Sequence, residues 1–194
     1  YNYVYNSRPV VGNMYNHHRG IYLDDGTSGQ YVHNNIANNV TYMTSASGKK
    51  NRIENNIILG ESKTSINLGV SAYLTDNQML SPLERARDLN NYGEIWLEKY
   101  PWLAEIDAWE YYNNKITGNI TQLPIYYGDE WAACNNAETD ITNNTVIGHN
   151  NYEYFVDPAN HDFRVKADAS ILATNPDVPN ENNLTFMDKW LINR

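Results

Sequence analysis

Pairs of asparagine at recurring intervals are the feature that most constrains what this chain can fold into. The sequence contains thirty asparagines among its 194 residues and several Asn-Asn pairs, of which four recur one or two positions before a β-branched or apolar residue at intervals of 20 residues or more. These segments are HNNI (33–36), ENNI (54–57), YNNKI (112–116) and TNNTV (142–146). The first two pairs are 21 residues apart and the last two about 30, with 58 residues between the two groups. A recurring unit of this length predicts a solenoid.

The residues between the pairs favour strands over helices. Short β-prone runs such as IYL (21–23) and IIL (57–59) alternate with Gly and Asn turns, which predicts an all-β, right-handed parallel β-helix. Asn accepts the left-handed conformation more readily than most other non-Gly residues, and its amide can hydrogen-bond to its copies in adjacent coils. We therefore predict that Asn34/Asn35 and Asn55/Asn56 occupy equivalent corners of successive coils.

Two segments depart from the repeat. SPLERARDLNN (81–91) has Ser81 as a helix N-cap and Pro82 at the first helical position, so we expect a helical insertion at 81–108, with the helical part at 82–107. FVDPANHDFRVKADASI (155–171) is typical of a strand, a turn and a second strand. We predict coils over residues 1–172 and a C-terminal tail or cap over 173–194, because a repeat fold needs its ends covered.

The charge balance excludes several classes of partner. The net charge is -9, with 14 Lys and Arg against 23 Asp and Glu, so neither nucleic acid nor an anionic membrane is expected to bind. No apolar stretch approaches the ~20 residues that a membrane span needs. The single cysteine, Cys134, excludes an internal disulfide and a Cys-rich metal site. We predict no metal and no cofactor.

The segment GIYLDDGTSG (20–29) places two acids at the end of a β-prone run. Alternate side chains of a strand face opposite ways. Because Ile21 and Leu23 are apolar and belong in the core, Tyr22 and Asp24 are expected to point outward. Asp25 then falls in the turn, where its carboxylate can accept hydrogen bonds from the following backbone amides. Asp24 is the first candidate catalytic carboxylate, and Asp25 is the second.

Other polar side chains near this strand are candidates for substrate binding. His17, His18 and Arg19 precede Tyr22 and could orient sugar hydroxyls. Two adjacent histidines on a strand would face opposite ways, which argues against a paired metal site. Glu54 is expected on a neighbouring coil as a reserve carboxylate. We predict that these five residues bind substrate.

Four segments together resemble a known family. GIYLDDGTSG, NRIENNI, WLEKYPWLAEI and FVDPANHDFRVKADASI follow one another in the order found in a large group of bacterial right-handed parallel β-helix repeat proteins. The similarity covers roughly residues 15–172 and is sharpest at IYLDDG and DFR. The characterised relatives that the chain most resembles are family 141 glycoside hydrolases, which act on fucose- or xylose-containing plant polysaccharides. The resemblance implies a secreted, periplasmic or cell-surface hydrolase in which Asp24 is one of two catalytic aspartates.

The resemblance also implies a longer protein. Members of the family carry the other aspartate about 40 residues upstream, whereas Tyr1 stands only 23 positions before Asp24. We therefore expect the chain to be the C-terminal part of a longer β-helix. An upstream segment or a partner chain is expected to pair with residues 1–12, because open strand edges are normally covered.

Two other functions stay open at this point. A polysaccharide lyase or epimerase shares the architecture, but it needs cations to neutralise a uronate carboxylate and a Tyr or His base. A β-helix that only binds glycan, without catalysis, needs neither of the two carboxylates.

Overall fold

The computed structural model describes residues 2–5, 19–23, 27, 29–40, 42–46, 50–60, 65–69, 92–101, 114–127, 139–149 and 151–184. Within these ranges the chain is mostly β-strand. The strands are, in chain order, β1 (Tyr3–Tyr5), β2 (Arg19–Leu23), β3 (Tyr31–His33), β4 (Ile36–Val40), β5 (Tyr42–Ala46), β6 (Arg52–Glu54), β7 (Ile57–Gly60), β8 (Ile66–Gly69), β9 (Lys115–Thr117), β10 (Ile120–Thr121), β11 (Ile125–Tyr127), β12 (Asp140–Thr142), β13 (Thr145–Val146), β14 (Phe155–Asp157) and β15 (Asp162–Val165).

Strands β1–β13 form three sheets in which neighbouring strands run parallel. Sheet A has the order β1-β4-β7-β10-β13, sheet B the order β2-β5-β8-β11, and sheet C the order β3-β6-β9-β12. Along the chain, successive strands belong to sheets A, B and C in turn, and each return to a sheet adds the next strand beside the previous one. The prediction of an all-β fold is confirmed for the described residues.

The corner between a sheet C strand and the following sheet A strand requires a left-handed backbone. The φ angle is 53° at Asn34, 56° at Asn55 and 55° at Asn143. These residues are the first members of three of the predicted asparagine pairs. Ile36 and Ile57, which follow the first two pairs, are register partners in sheet A. The predicted equivalence of the first two corners is confirmed.

The second asparagine of each corner belongs to a hydrogen-bonded ladder. Oδ1 of Asn56 accepts hydrogen bonds from the backbone N and Nδ2 of Asn35 at 3.0 and 2.9 Å. Asn56 donates in the same way to Oδ1 of Asn119, at 2.9 Å from both nitrogens. Asn2 and Asn144 extend the ladder at its two ends. The ladder therefore satisfies buried backbone donors that would otherwise lose their hydrogen bonds to water.

The corner between β9 and β10 is formed by a glycine and an asparagine, not by an asparagine pair. The ladder position belongs to Asn119, and Gly118, with a φ of 68°, takes the left-handed position before it. Glycine adopts positive φ at no steric cost, so it replaces the first asparagine of the pair. Asn114 lies before β9 instead, where its Oδ1 accepts a hydrogen bond from the backbone N of Asn51 at 2.8 Å.

Two apolar clusters lie on opposite faces of sheet A. The inner cluster draws on strands of all three sheets; its buried members are Leu23, Met43, Ile53, Ile58, Ile66 and Ile116. Ile57 and Leu59, which flank Ile58 on β7, belong to the second cluster together with Phe155 and Phe163 of the C-terminal segment. Sheet A is thus covered on both faces, as parallel sheets usually are.

The C-terminal segment over residues 151–184 is built around an antiparallel pair. β14 pairs with β15 across a short 3-10 turn at Pro158–Asn160, so the predicted strand, turn and strand are confirmed. The Arg164 guanidinium contacts the Asp162 carboxylate at 2.6 Å and donates to the Leu184 carbonyl at 3.0 Å. The Tyr3 hydroxyl donates to the His161 carbonyl at 3.0 Å, which ties this segment to β1. The boundary at residue 172 stays a prediction, and residues 185–194 lie outside the described ranges.

One α-helix, α1 (Tyr92–Lys99), falls inside the predicted helical insertion and ends just before Pro101. The rest of that prediction, residues 81–91 and 102–108, lies outside the described residues. Among the helices that the structure does describe, none has both the length and the apolar character needed to cross a bilayer.

Candidate functional site

Strand β2 presents Tyr22 to solvent and its neighbours to the core. Leu23 is buried and Ile21 packs against the same inner cluster, whereas Tyr22 is 42% exposed. The predicted alternation is confirmed for these three residues. The guanidinium carbon of Arg19 lies 3.8 Å from the centre of the Tyr22 ring, a distance at which a cation and an aromatic face attract each other.

The remaining residues predicted around this strand lie outside the described ranges. They are His17, His18, Asp24 and Asp25. Within sheet B, Tyr22 shares one register row with Thr44, Asn67 and Tyr126 on the three following strands. The row therefore carries two tyrosines, a threonine and an asparagine.

Glu54 lies on sheet C, not on sheet B with Tyr22. Its carboxylate is nearly buried, with 7% of the side chain exposed, and it accepts two hydrogen bonds from one guanidinium. Nε of Arg52 donates to Oε1 at 3.0 Å and Nη2 donates to Oε2 at 2.7 Å. Nζ of Lys115 lies 3.5 Å from Oε1. The buried Glu54 carboxylate therefore lies between Arg52 of its own strand, β6, and Lys115 of the neighbouring strand β9.

These contacts decide the protonation state of Glu54. Burial by itself raises the pKa of Glu54, but the hydrogen bond and charge of Arg52, with the charge of Lys115, outweigh it and hold the pKa below its ordinary value. The hydrogen bond to Glu54 also raises the pKa of Arg52. Glu54 is thus ionised at neutral pH, which suits charge pairing and not proton donation.

Two aromatic side chains complete this group on strand β3. The rings of Tyr31 and His33 stack with centroids 4.0 Å apart, and the Arg52 guanidinium lies 4.4 Å from the centre of the Tyr31 ring. Burial and the nearby Glu54 carboxylate raise the pKa of Tyr31. We name these five residues (Tyr31, His33, Arg52, Glu54 and Lys115) the sheet C cluster.

Register explains why the sheet C cluster forms. Tyr31, Arg52 and Lys115 are successive partners across β3, β6 and β9, and His33 pairs with Glu54. Of these five residues, Glu54 alone was a candidate from the sequence. A signal was nonetheless present, because YVH (31–33), RIE (52–54) and KIT (115–117) each place an apolar residue between two outward polar or aromatic ones, directly before a left-handed corner.

A cavity of about 430 Å³ opens beside this cluster at the edge strands of the three sheets. Tyr31 and His33 form part of its wall, together with Asn2, Val4, Ile21 and Asn35. Its volume falls in the range of small-molecule sites. Among the described residues, no group of three His, Cys, Asp or Glu side chains is arranged to hold a metal ion.

Comparison with known proteins assigns no family. No family model matches the chain, and neither the curated proteins nor the solved structures contain a significant match.

Proposed function

We propose that the three parallel sheets are the walls of a right-handed parallel β-helix. The cyclic order of sheets A, B and C supports this architecture, as does the inner apolar cluster, which all three sheets share. The asparagine ladder adds support, because stacked coils bring equivalent corners within hydrogen-bond distance. Crossover connections between parallel strands are almost always right-handed. A further coil or a partner strand would continue the stack on β1, β2 and β3, the edge strands of the three sheets.

We propose that this β-helix is a glycoside hydrolase acting on a fucose- or xylose-containing polysaccharide. It would work in the secreted, periplasmic or cell-surface setting that the family resemblance implies. The observation that carries the proposal is the alternation on β2, where Tyr22 is exposed between two residues of the inner cluster. Asp24 follows Tyr22 by two residues in the sequence, and the alternation of side chains along a strand is our reason for proposing it on the same side. An aromatic ring beside a carboxylate suits a sugar in a surface groove.

Hydrolysis of a glycosidic bond needs two carboxyl groups with different tasks. One protonates the leaving oxygen, and the other attacks the anomeric carbon or activates a water molecule. Asp24 is proposed for one of these tasks, with Asp25 as the second candidate on this chain. Glu54 is a poor choice for the acid because two cations keep it ionised. We propose that Glu54 instead holds substrate-binding side chains in place.

The test is a hydrolysis assay on fucosylated and xylose-based oligosaccharides with the protein that carries this chain. Asp24→Asn should lower turnover by about 10²–10⁴-fold, the usual contribution of an acid–base group, while the circular dichroism spectrum stays that of the wild type. Asp25→Asn separates the two candidates: if Asp25 serves only the turn, this variant should lower stability more than turnover. Near-normal turnover of the Asp24 variant on a confirmed substrate would refute the assignment.

A further inference from the structure

We propose that the sheet C cluster binds the anionic substituent, carboxylate or sulfate, of an acidic glycan. This inference adds a substrate class to the proposed function and rests on it only in taking the ligand to be a glycan. Three properties of the cluster support it: its two exposed cations, the fixed orientation of one of them and the aromatic surface of Tyr31.

The two cations are accessible and close together. The side chains of Arg52 and Lys115 are 51% and 47% exposed, although both contact the nearly buried Glu54 carboxylate. They are register partners on adjacent strands, so their backbones lie about 4.8 Å apart. One anionic group placed over these strands could contact both.

Arg52 is held in one orientation before any ligand arrives. Nε and Nη2 bond the two oxygens of Glu54, and the guanidinium lies over the ring of Tyr31. Nη1 has no hydrogen-bond partner among the residues that the structure describes, so it is available to an anion. A free arginine would lose rotamer entropy on binding, whereas most of that loss has already occurred here. Glu54 is thus a positioning residue for Arg52.

Acidic side chains flank the two cations on both sides. Arg52 and Lys115 carry two positive charges against the single negative charge of Glu54. Asp140 occupies the next register position beyond Lys115, and its carboxylate accepts a hydrogen bond from the Thr142 hydroxyl at 2.8 Å. Asp177 lies at the other end, where its charge adds to burial and Glu54 in raising the pKa of Tyr31. The positive charge is therefore concentrated at Arg52 and Lys115 themselves.

Tyr31 offers a surface to the sugar that carries the anion. It is 48% exposed, its ring stacks on His33, and the Arg52 guanidinium lies 4.4 Å from the centre of the ring. A sugar placed on this ring would hold its charged group beside Arg52.

The experiment compares three oligosaccharides of equal backbone length: a neutral one, one with a uronate branch and one with a sulfate. Binding is measured by titration calorimetry with the Asp24→Asn protein, so that no ligand is cleaved. Either acidic ligand, or both, should bind at least about 10-fold more tightly than the neutral one, a gain of 1.4 kcal/mol. The difference should shrink as salt is raised, and the ligand that shows it identifies the anion.

Arg52→Gln with Lys115→Met should abolish this preference and leave the affinity for the neutral ligand within about twofold. Lys115→Met alone keeps the Arg52–Glu54 pair intact, so it tests the site even if the double variant fails to fold. Lys99→Met removes an equal charge from the exposed surface of α1 and should leave the preference unchanged.

Equal affinity of the wild-type cluster for all three ligands would overturn the proposal, as would equal effects of Lys115→Met and Lys99→Met. An acid preference in a protein without hydrolytic activity would support this site and refute the hydrolase. Hydrolysis without a preference for acidic ligands would support the hydrolase and refute this site.

Discussion

Replacement of Asn56 by alanine tests whether the asparagine ladder stabilises the fold. The Asn56 side chain is fully buried. Its Oδ1 accepts from the backbone N and Nδ2 of Asn35, and its Nδ2 donates to Val32 O, Glu54 O and Asn119 Oδ1. Alanine keeps the backbone of residue 56 but removes all of these side-chain contacts.

The magnitude follows from the groups that lose their partners. Two donors of the buried Asn35, its backbone N–H and its Nδ2, would be left without their acceptor. Each buried unsatisfied group costs about 1–3 kcal/mol, which gives roughly 2–6 kcal/mol for the two. Single substitutions that cost more than about 4–5 kcal/mol are exceptional. We therefore expect the free energy of unfolding to fall by about 3–5 kcal/mol.

The chain offers a matched control at the end of the same ladder. Asn2 is exposed, and its Nδ2 donates to Asn35 Oδ1, so Asn2→Ala should cost no more than about 1 kcal/mol. Urea unfolding followed by circular dichroism measures both changes from the midpoint and slope of the transition. If Asn56→Ala costs no more than Asn2→Ala, the ladder does not satisfy the buried donors as the structure indicates, and the reasoning fails.

Two further predictions concern the corners and the seam between β1 and the C-terminal segment. Gly118→Ala should lower the free energy of unfolding by at least about 1 kcal/mol more than Gly148→Ala. Both glycines have positive φ, but only at Gly118 would an added Cβ press on Asn55 Oδ1. Equal losses of the two variants in a urea titration would contradict this. Burial raises the pKa of Tyr3 to about 12, so the folded state keeps its proton while the unfolded chain ionises near 10, and stability is lost as pH rises through that window. Below pH 10, Tyr3→Phe should be slightly less stable than wild type, because it lacks the hydrogen bond to His161. Between pH 10 and 12, it should lose less stability than the wild-type protein does. Parallel pH profiles of stability for the two proteins would refute this explanation.

The first two corners were predictable because they depend on local chemistry. An asparagine that tolerates positive φ, a second asparagine and then a core residue define the corner within four positions, as at Asn34 and Asn55. The alternation of side-chain direction along β2 follows from the apolar character of Ile21 and Leu23 alone. The same local rule could have located Gly118 and Asn119, since GNI meets the corner's requirements as well as NNI does.

The sheet C cluster was not predictable in the same way. Glu54 was a candidate from the sequence, but its partner Lys115 is 61 positions away along the chain. They meet because β9 pairs with β6, although the long stretch of sequence between β8 and β9 separates the two strands along the chain. The sequence around RIE (52–54) does not indicate which later three-residue segment will pair with it. The lowered pKa of Glu54 could therefore not be foreseen.

The sequence by itself therefore determined the first two left-handed corners, the 21-residue spacing between them and the side of β2 on which Tyr22 stands. Each of these is set by the φ preference of a residue or by the alternation of side chains within a few positions. Tertiary structure alone decided that Asn119 continues the ladder, that Arg52 and Lys115 flank Glu54, and that Phe155 and Phe163 cover the outer face of sheet A. These contacts join residues far apart in the chain, and the pairing of whole strands and the burial of apolar faces select them.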